Sequence, residues 1–280
     1  MMSEKTAPLT VALVYDFDGT LAEGSMQEHS LFPALGVVPQ EFWPMVEADT
    51  ESANADGILM YMRHILKAAE RRGVPITQAM LRQHGAKVPF FPGVLKWFDR
   101  INAYALEHFN LELQHFVVSS GNEEIVKGTP IYDSFKEVFA CKYIFDEDGR
   151  AVWPAVGLNY TTKTQFLFRI SKGIHNYWDH KTLNRWMPKE EKDFPFSRMI
   201  FLGDGDSDIP SMELVRAEGG YAFAVFDPAL WGESSCQEKV HRLIAEDRIS
   251  HAAPGDYCEG SFLDIVMKGV LQRIARLEAE

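Results

Sequence analysis

Cysteine is scarce in this chain. Three residues, Cys141, Cys236 and Cys258, stand far apart in 280. That spacing excludes a disulfide framework and a CxxC zinc site, and points to a reducing, cytoplasmic compartment. Positive charge is also short: 28 Lys and Arg face 40 Asp and Glu, a net charge of −12. A broad nucleic-acid-binding face needs the opposite balance, so nucleic acid is not an expected partner. Long apolar runs are missing too. None approaches the ~20 residues of a membrane span, and "MMSEKTAPLT" holds no apolar leader stretch. The nine histidines form no HxxxH or HxH pair that would mark a metal site. There is no internal repeat and no low-complexity tract.

What is present is an alternation of two periodicities. Residues 9–15, LTVALVY, are polar only at Thr10, which predicts a strand buried on both faces. From 26 to 89 the pattern becomes helical, as at Ile58, Met62, Ile65 and Ala69, and closes at Gly73 and Pro75. An inserted helical cap is expected over 24–89, with 1–23 and 90–280 forming one α/β core. Val94, Trp97, Phe98, Ile101 and Ala105 predict a helix over 94–108. LQHFVVSSGN, 113–122, reads as a second strand. Residues 137–153 read as a strand and then a hairpin turned at Asp148-Gly149. Thr162 is the expected cap of a helix running to Lys172 and ended by Gly173. Residues 174–197 mix charge, aromatics and proline and yield no element. SRMIFLGDGDSD and GGYAFAVF supply further strands, and an amphipathic helix is expected over 261–277.

Strands alternating with helices predict a doubly wound parallel sheet whose site lies beyond the carboxyl ends of its strands. Three strands end in polar clusters: Asp16/Asp18, Ser119/Ser120/Gly121 and Asp204/Asp206/Asp208. Asp18-Gly19 alone is also a hairpin signal, and acids there can simply mark a turn. Three such ends on one sheet edge favour chemistry instead.

Carboxylates gathered at one edge repel each other, and a hard divalent cation relieves that conflict. Asp16 and Asp204, aided by the carbonyl of Asp18, make a candidate Mg²⁺ site. A calcium loop is excluded at GDGDSD, because Ile209 and Val215 stand where Gly and Glu are required. GNEEIVKGT fails as a phosphate loop, because Val126 replaces the glycine before the lysine. With a cation present, Asp16 is the candidate nucleophile and Asp18 the candidate acid and base. Ser119, with the N–H groups near Ser120 and Gly121, is placed where a strand turns into a helix N-terminus, a natural anion seat. Lys163, in the first turn of its helix, is the candidate counter-charge. Lys172, near the helix end, fits a dipole role. Asp206 reads as solvated.

These residues resemble the four motifs of the haloacid dehalogenase (HAD) superfamily of phosphohydrolases. DFDGT at 16–20 is similar to its first motif, FVVSSG at 116–121 to its second, Lys163 in TTKTQFLFRISKG to its third, and GDGDSD at 203–208 to its fourth. FACKYIFDEDGRA and the lysine helix look most like the phosphoserine phosphatase-like branch. The resemblance implies a Rossmann-like core with a cap between the first two motifs, and Mg²⁺-dependent hydrolysis of a small soluble phosphate ester through an aspartyl-phosphate. It implies that Thr20, Ser119 and Lys163 bind phosphate, that Asp204 ligates the metal and that Asp208 braces it from behind. Ser25 stands where that branch carries a substrate-reading glutamate, which argues against phosphoserine; Glu28 is three residues beyond. A phosphotransferase or mutase on the same scaffold, and a non-catalytic phospho-ligand binder, are the alternatives.

Overall fold

Five consecutive residues, Val11 to Tyr15, have no exposed surface in the computed structural model, which describes residues 7–279. Residues 1–6 and 280, the outer ends of the expected core, lie outside the described residues. A strand buried so completely needs neighbours on both edges and cover on both faces. β1 (Leu9–Tyr15) has them. The strands that follow are β2 (Leu111–Asn122), β3 (Glu137–Phe145), β4 (Ala151–Val156), β5 (Met199–Gly203), β6 (Tyr221–Phe226) and β7 (His251–Pro254). They make one sheet in the order β4-β3-β2-β1-β5-β6-β7. Every pairing is parallel except β3 with β4, the predicted hairpin, where Gly149 takes positive φ.

Helices cover both faces. Between β1 and β2 run α1 (Met26–His29), α2 (Leu31–Leu35), α3 (Pro39–Ala53), α4 (Gly57–Arg72), α5 (Gln78–Gly85) and α6 (Val94–Phe109). After β2 come α7 (Glu123–Lys127), α8 (Thr162–Ser171), α9 (His180–Asn184), α10 (Ile209–Ala217), α11 (Ser234–Ala245) and α12 (Phe262–Leu277). Alternate residues of β2 face opposite ways. His115 meets Phe98 of α6, while Phe116 meets Phe194, whose N–H donates to the last residue of α8, Ser171. No helix among the described residues is long and apolar enough to cross a membrane.

The helices from 26 to 85 are tied to the sheet by polar contacts. The Tyr143 hydroxyl donates to the Met62 carbonyl at 3.0 Å, and Asn159 donates its amide to Asp56, the residue that caps α4. α5 and α7 touch backbone to backbone: a Cβ on Gly128 would lie 1.9 Å from the Arg82 carbonyl oxygen.

Several local expectations are corrected. Thr162 is not the cap of α8 but its first residue. Asn159 accepts from the Thr162 N–H at 3.1 Å, and the Thr162 hydroxyl accepts from the Asn159 N–H at 2.7 Å. Residues 174–197 contain α9 and two single 3₁₀ turns. β7 and α11 went unread in the sequence.

Beneath β1 lies a chain of buried hydrogen bonds. The Trp97 indole donates to the Tyr15 hydroxyl at 3.0 Å. That oxygen lies 3.0 Å from His115 Nδ1, and His115 Nε2 lies 2.8 Å from Asn102 Oδ1. Only one tautomer satisfies all four groups: Tyr15 donates to a bare Nδ1, and Nε2–H donates to Asn102. Burial pushes the His115 pKa down to about 3. The unfolded chain takes up a proton at this histidine below about pH 6.5 that the folded chain refuses. Stability is therefore expected to fall as pH drops from about 6.5 toward 3, and His115→Gln should flatten that slope in urea titrations run across the same window.

Candidate active site

Strand register brings the motif ends together. Tyr15 pairs with Val117 on one side and Leu202 on the other. Asp16 and Asp204 leave the sheet directly after these pairs, at the edge where Ser119, still paired with Ala140, stands two residues beyond Val117. The Asp16 N–H still donates to the Leu202 carbonyl at 2.8 Å. Beyond it the chain does not make a hairpin. The N–H groups of Leu21 and Ala22 both return to the Phe17 carbonyl at 3.0 Å, and Gly19 takes φ of +68°. A Cβ on Gly19 would lie 2.3 Å from an Asp204 carboxylate oxygen, so only glycine lets the two loops approach this closely.

Asp16, Asp204 and Asp208 each place a carboxylate oxygen within 4.8 Å of the others. Lys163 is fully buried beneath them. Its Nζ lies 2.7 Å from Asp208 Oδ1, 3.2 Å from Asp16 Oδ2 and 3.4 Å from Ser207 Oγ. Burial disfavours the ammonium, but Asp16 and Asp208 outweigh that and hold its pKa above the ordinary lysine value. One cation does not balance three acids. Burial, then Asp16, pushes Asp204 up to about 7, and the same two causes raise Asp208. Asp18 is held well above the usual carboxylate range by loss of water and by Asp16. An all-oxygen donor set short of positive charge fits a hard divalent cation. The Asp18 side chain is outside this trio; its Oδ1 instead accepts from the Met26 N–H at 2.9 Å.

A cavity of about 290 Å³ opens above the cluster. Asp16, Asp18, Ser119, Ser120, Gly121 and Asp204 line it, as do Ser25 and Ser207. Three of the expected residues sit below its floor. Lys163 and Asp208 have no exposed surface. Thr20 is equally buried; its carbonyl accepts from the Tyr257 hydroxyl at 2.7 Å, and its own hydroxyl has no partner among the described residues. Asp208 is occupied on both oxygens, by Lys163 and by the Gly205 N–H at 3.3 Å, a bracing position behind the cluster. Asp206 is exposed and pairs with Arg242 at 3.1 Å. Lys172 points elsewhere: its Nζ donates to the carbonyls of Leu183 and Arg185, pinning the 174–197 segment.

The expected helix N-terminus after Ser119 is not an anion seat. α7 has only five residues, begins with Glu123 and Glu124, and is capped by Asn122, whose Oδ1 accepts from the Ile125 N–H at 3.1 Å. Polar groups of the 119–121 loop remain. Glu28 is also committed, accepting from the Trp43 indole at 2.6 Å. Sequence reasoning missed Ser207, although it stands inside the quoted fourth motif. It missed Lys239, whose Nζ donates to the Asp204 carbonyl at 2.8 Å from an α11 that carried no motif.

Residues 11–240 match the protein family described as "Putative Phosphatase". The chain belongs to that family. This phosphatase-family enzyme has a relative in Borreliella burgdorferi, described as an uncharacterized protein, at 28% identity over 277 residues, 90% of this chain and 93% of the relative. Its fold is that of the HAD hydrolases. A HAD-family hydrolase from Salmonella enterica serovar Typhi superposes with a TM-score of 0.59 at 14% identity, over 95% of this chain and 73% of that one. A phosphoserine phosphatase solved as a phospho-aspartyl intermediate analogue gives 0.56 at 14% identity, over 94% and 99%. At these identities the likeness is one of fold.

Removing the buried cation should expose the acid crowding directly. Lys163→Met is expected to cost the metal-free phosphatase about 3–5 kcal/mol, the usual penalty for stranding a buried charge partner. Urea unfolding with a chelator present reads this, and an unchanged midpoint contradicts it.

Proposed function

We propose that this phosphatase-family enzyme is a Mg²⁺-dependent phosphomonoester hydrolase that works through an aspartyl-phosphate on Asp16. The carrying observation is the placement of Asp16 on the cavity wall, with Oδ1 fixed by the Phe17 N–H at 2.7 Å and Oδ2 held 3.2 Å from Lys163. A carboxylate so restrained presents an oxygen to an arriving phosphorus in one orientation.

Asp16 attacks phosphorus as the bond to the leaving oxygen breaks, and Asp18 gives that oxygen its proton. In the second half Asp18 takes a proton from water, the water oxygen bonds to phosphorus, and the Asp16–phosphorus bond breaks to release inorganic phosphate. The Ser119 hydroxyl donates to the phosphoryl oxygens. Lys163, paired with Asp16 and Asp208, holds both side chains in place. Asp16 and Asp204, with the Asp18 carbonyl and with Asp208 behind them, are the residues that would hold the Mg²⁺, which when bound neutralises the acids and polarises the phosphoryl oxygens. Thr20 and Lys163 are the two expected phosphate ligands that do not line the cavity.

The reading extends to organisation. Residues 24–89 act as a cap over a core of 1–23 and 90–280. The substrate is a small soluble phosphate ester, in keeping with a cavity of about 290 Å³. Ser25, on the cavity wall, donates to Gln27 at 2.5 Å and offers no carboxylate to a substrate ammonium, so phosphoserine is disfavoured.

A panel of phosphate esters assayed with and without Mg²⁺ tests the proposal. Asp16→Asn is expected to abolish turnover with the fold intact by circular dichroism. Hydrolysis in ¹⁸O water should place the label in phosphate, whereas transfer to another acceptor leaves phosphate unlabelled. Mg²⁺ at 100 times its Kd should add about 2.7 kcal/mol to stability in the wild type and much less in Asp204→Asn, read as a shift in Tm.

A further inference from the structure

One group outside the catalytic set controls a peptide at the cavity wall. Tyr61, from the middle of α4, is nearly buried and donates its hydroxyl to the Ser120 carbonyl at 2.8 Å. A trans peptide is planar, and its carbonyl oxygen and amide hydrogen point in opposite directions. Anchoring the Ser120 oxygen therefore aims the Gly121 N–H the other way, where it donates to Ser119 Oγ at 3.1 Å. That bond occupies a lone pair of the Ser119 hydroxyl and leaves the hydroxyl's own hydrogen free to be donated. The Ser120 hydroxyl, buried beside it, has no partner among the described residues. The Met26 side chain packs against Gly121, where a Cβ would lie 2.1 Å from Met26 Cε.

Tyr61 is itself braced. The Trp43 ring meets it edge-on at 5.9 Å, and the Trp43 indole is fixed by Glu28 of α1. Three helices of the 26–85 segment thus converge on one carbonyl of the sheet edge.

We propose that Tyr61 is a positioning residue for phosphate binding: by holding the Ser120 carbonyl out of the cavity, it turns Ser119 into a donor toward the phosphate. The inference rests on the reading of the site given above. A peptide freed from Tyr61 can rotate its carbonyl toward the cavity, where the oxygen repels an anion. The same bond makes the grip on phosphate depend on how α4 is seated.

Tyr61→Phe removes one oxygen and keeps the ring. With p-nitrophenyl phosphate, KM and the inhibition constant of inorganic phosphate are expected to rise about tenfold, with kcat within about threefold. Tm should stay near wild type, a pattern that general loosening would not produce. Wild-type values for both constants overturn the proposal. If the wild type hydrolyses no ester, the reading of the site fails, and calorimetric binding of inorganic phosphate with Mg²⁺ still decides this inference: tenfold weaker binding in Tyr61→Phe supports it, while equal binding, or none by the wild type, overturns it. Should the variant not fold, the wild-type Gly121 amide resonance decides. It must shift as phosphate is added with Mg²⁺, and an unmoved resonance at saturation overturns the proposal.

Discussion

The arrangement at the sheet edge depends on one buried ammonium. Lys163 lies where Asp16 and Asp208 would otherwise face each other across a space closed to water. Two like charges within a few ångströms in a medium of low polarity repel by several kcal/mol. The lysine converts that repulsion into two ion pairs and so fixes the ends of β1 and of the loop after β5. It also couples α8 to the site, because the first turn of that helix must arrive at one height for Nζ to reach both partners. The reciprocal Asn159 and Thr162 hydrogen bonds set that height, and the Asn159 amide is in turn bonded to Asp56 of the helical segment. Charge balance at the centre and seating of the outer helices are therefore one mechanical problem.

The core of this design was legible in the sequence, and the reason is physical. β1 could be read because a strand buried on both faces must be apolar throughout, and LTVALVY is. The polar strand ends were conspicuous because a buried run has no other reason to stop in acids or serines. Asp16, Asp18, Ser119 and Asp204 followed from that contrast and do share one cavity. Thr20 was carried over with the first motif, but its hydroxyl turned out to lie below the floor, since the loop that returns to Phe17 turns it away from the cavity.

What stayed illegible shares a different cause. Tyr61 acts through a carbonyl 59 positions away, and Lys239 likewise through a carbonyl. Backbone acceptors have no residue type, so such partners leave no motif. The 174–197 segment hides its order in the same way. Arg169, fully buried in α8, donates to the carbonyls of Asn176 and Tyr177, and Lys172 to those of Leu183 and Arg185. Two cations at the C-terminal end of one helix, Arg169 in its last turn and Lys172 at its cap, thus organise a stretch whose own composition predicts nothing. β7 is four residues ending in proline, too short to show a period.

A net charge of −12 poses a problem for an enzyme of anions. At physiological ionic strength, charges farther than about 8 Å apart in solvent are largely screened. The remote surface acids therefore count for little at the cavity, and the groups within a few ångströms decide whether an anion binds. There the chain offers one lysine already shared by two carboxylates, along with hydroxyls and N–H groups that carry only partial charge. Partial charges stabilise an anion only when they point at it, because a misdirected dipole contributes nothing or repels. This is why orientation matters more here than in a site built from arginines. The irregular end of β2, built of serine and glycine, has little stiffness of its own. Its dipoles stay aimed because neighbouring elements fix both ends of the peptide: Tyr61 on the carbonyl, and the Ser119 hydroxyl and the Met26 side chain around the Gly121 residue.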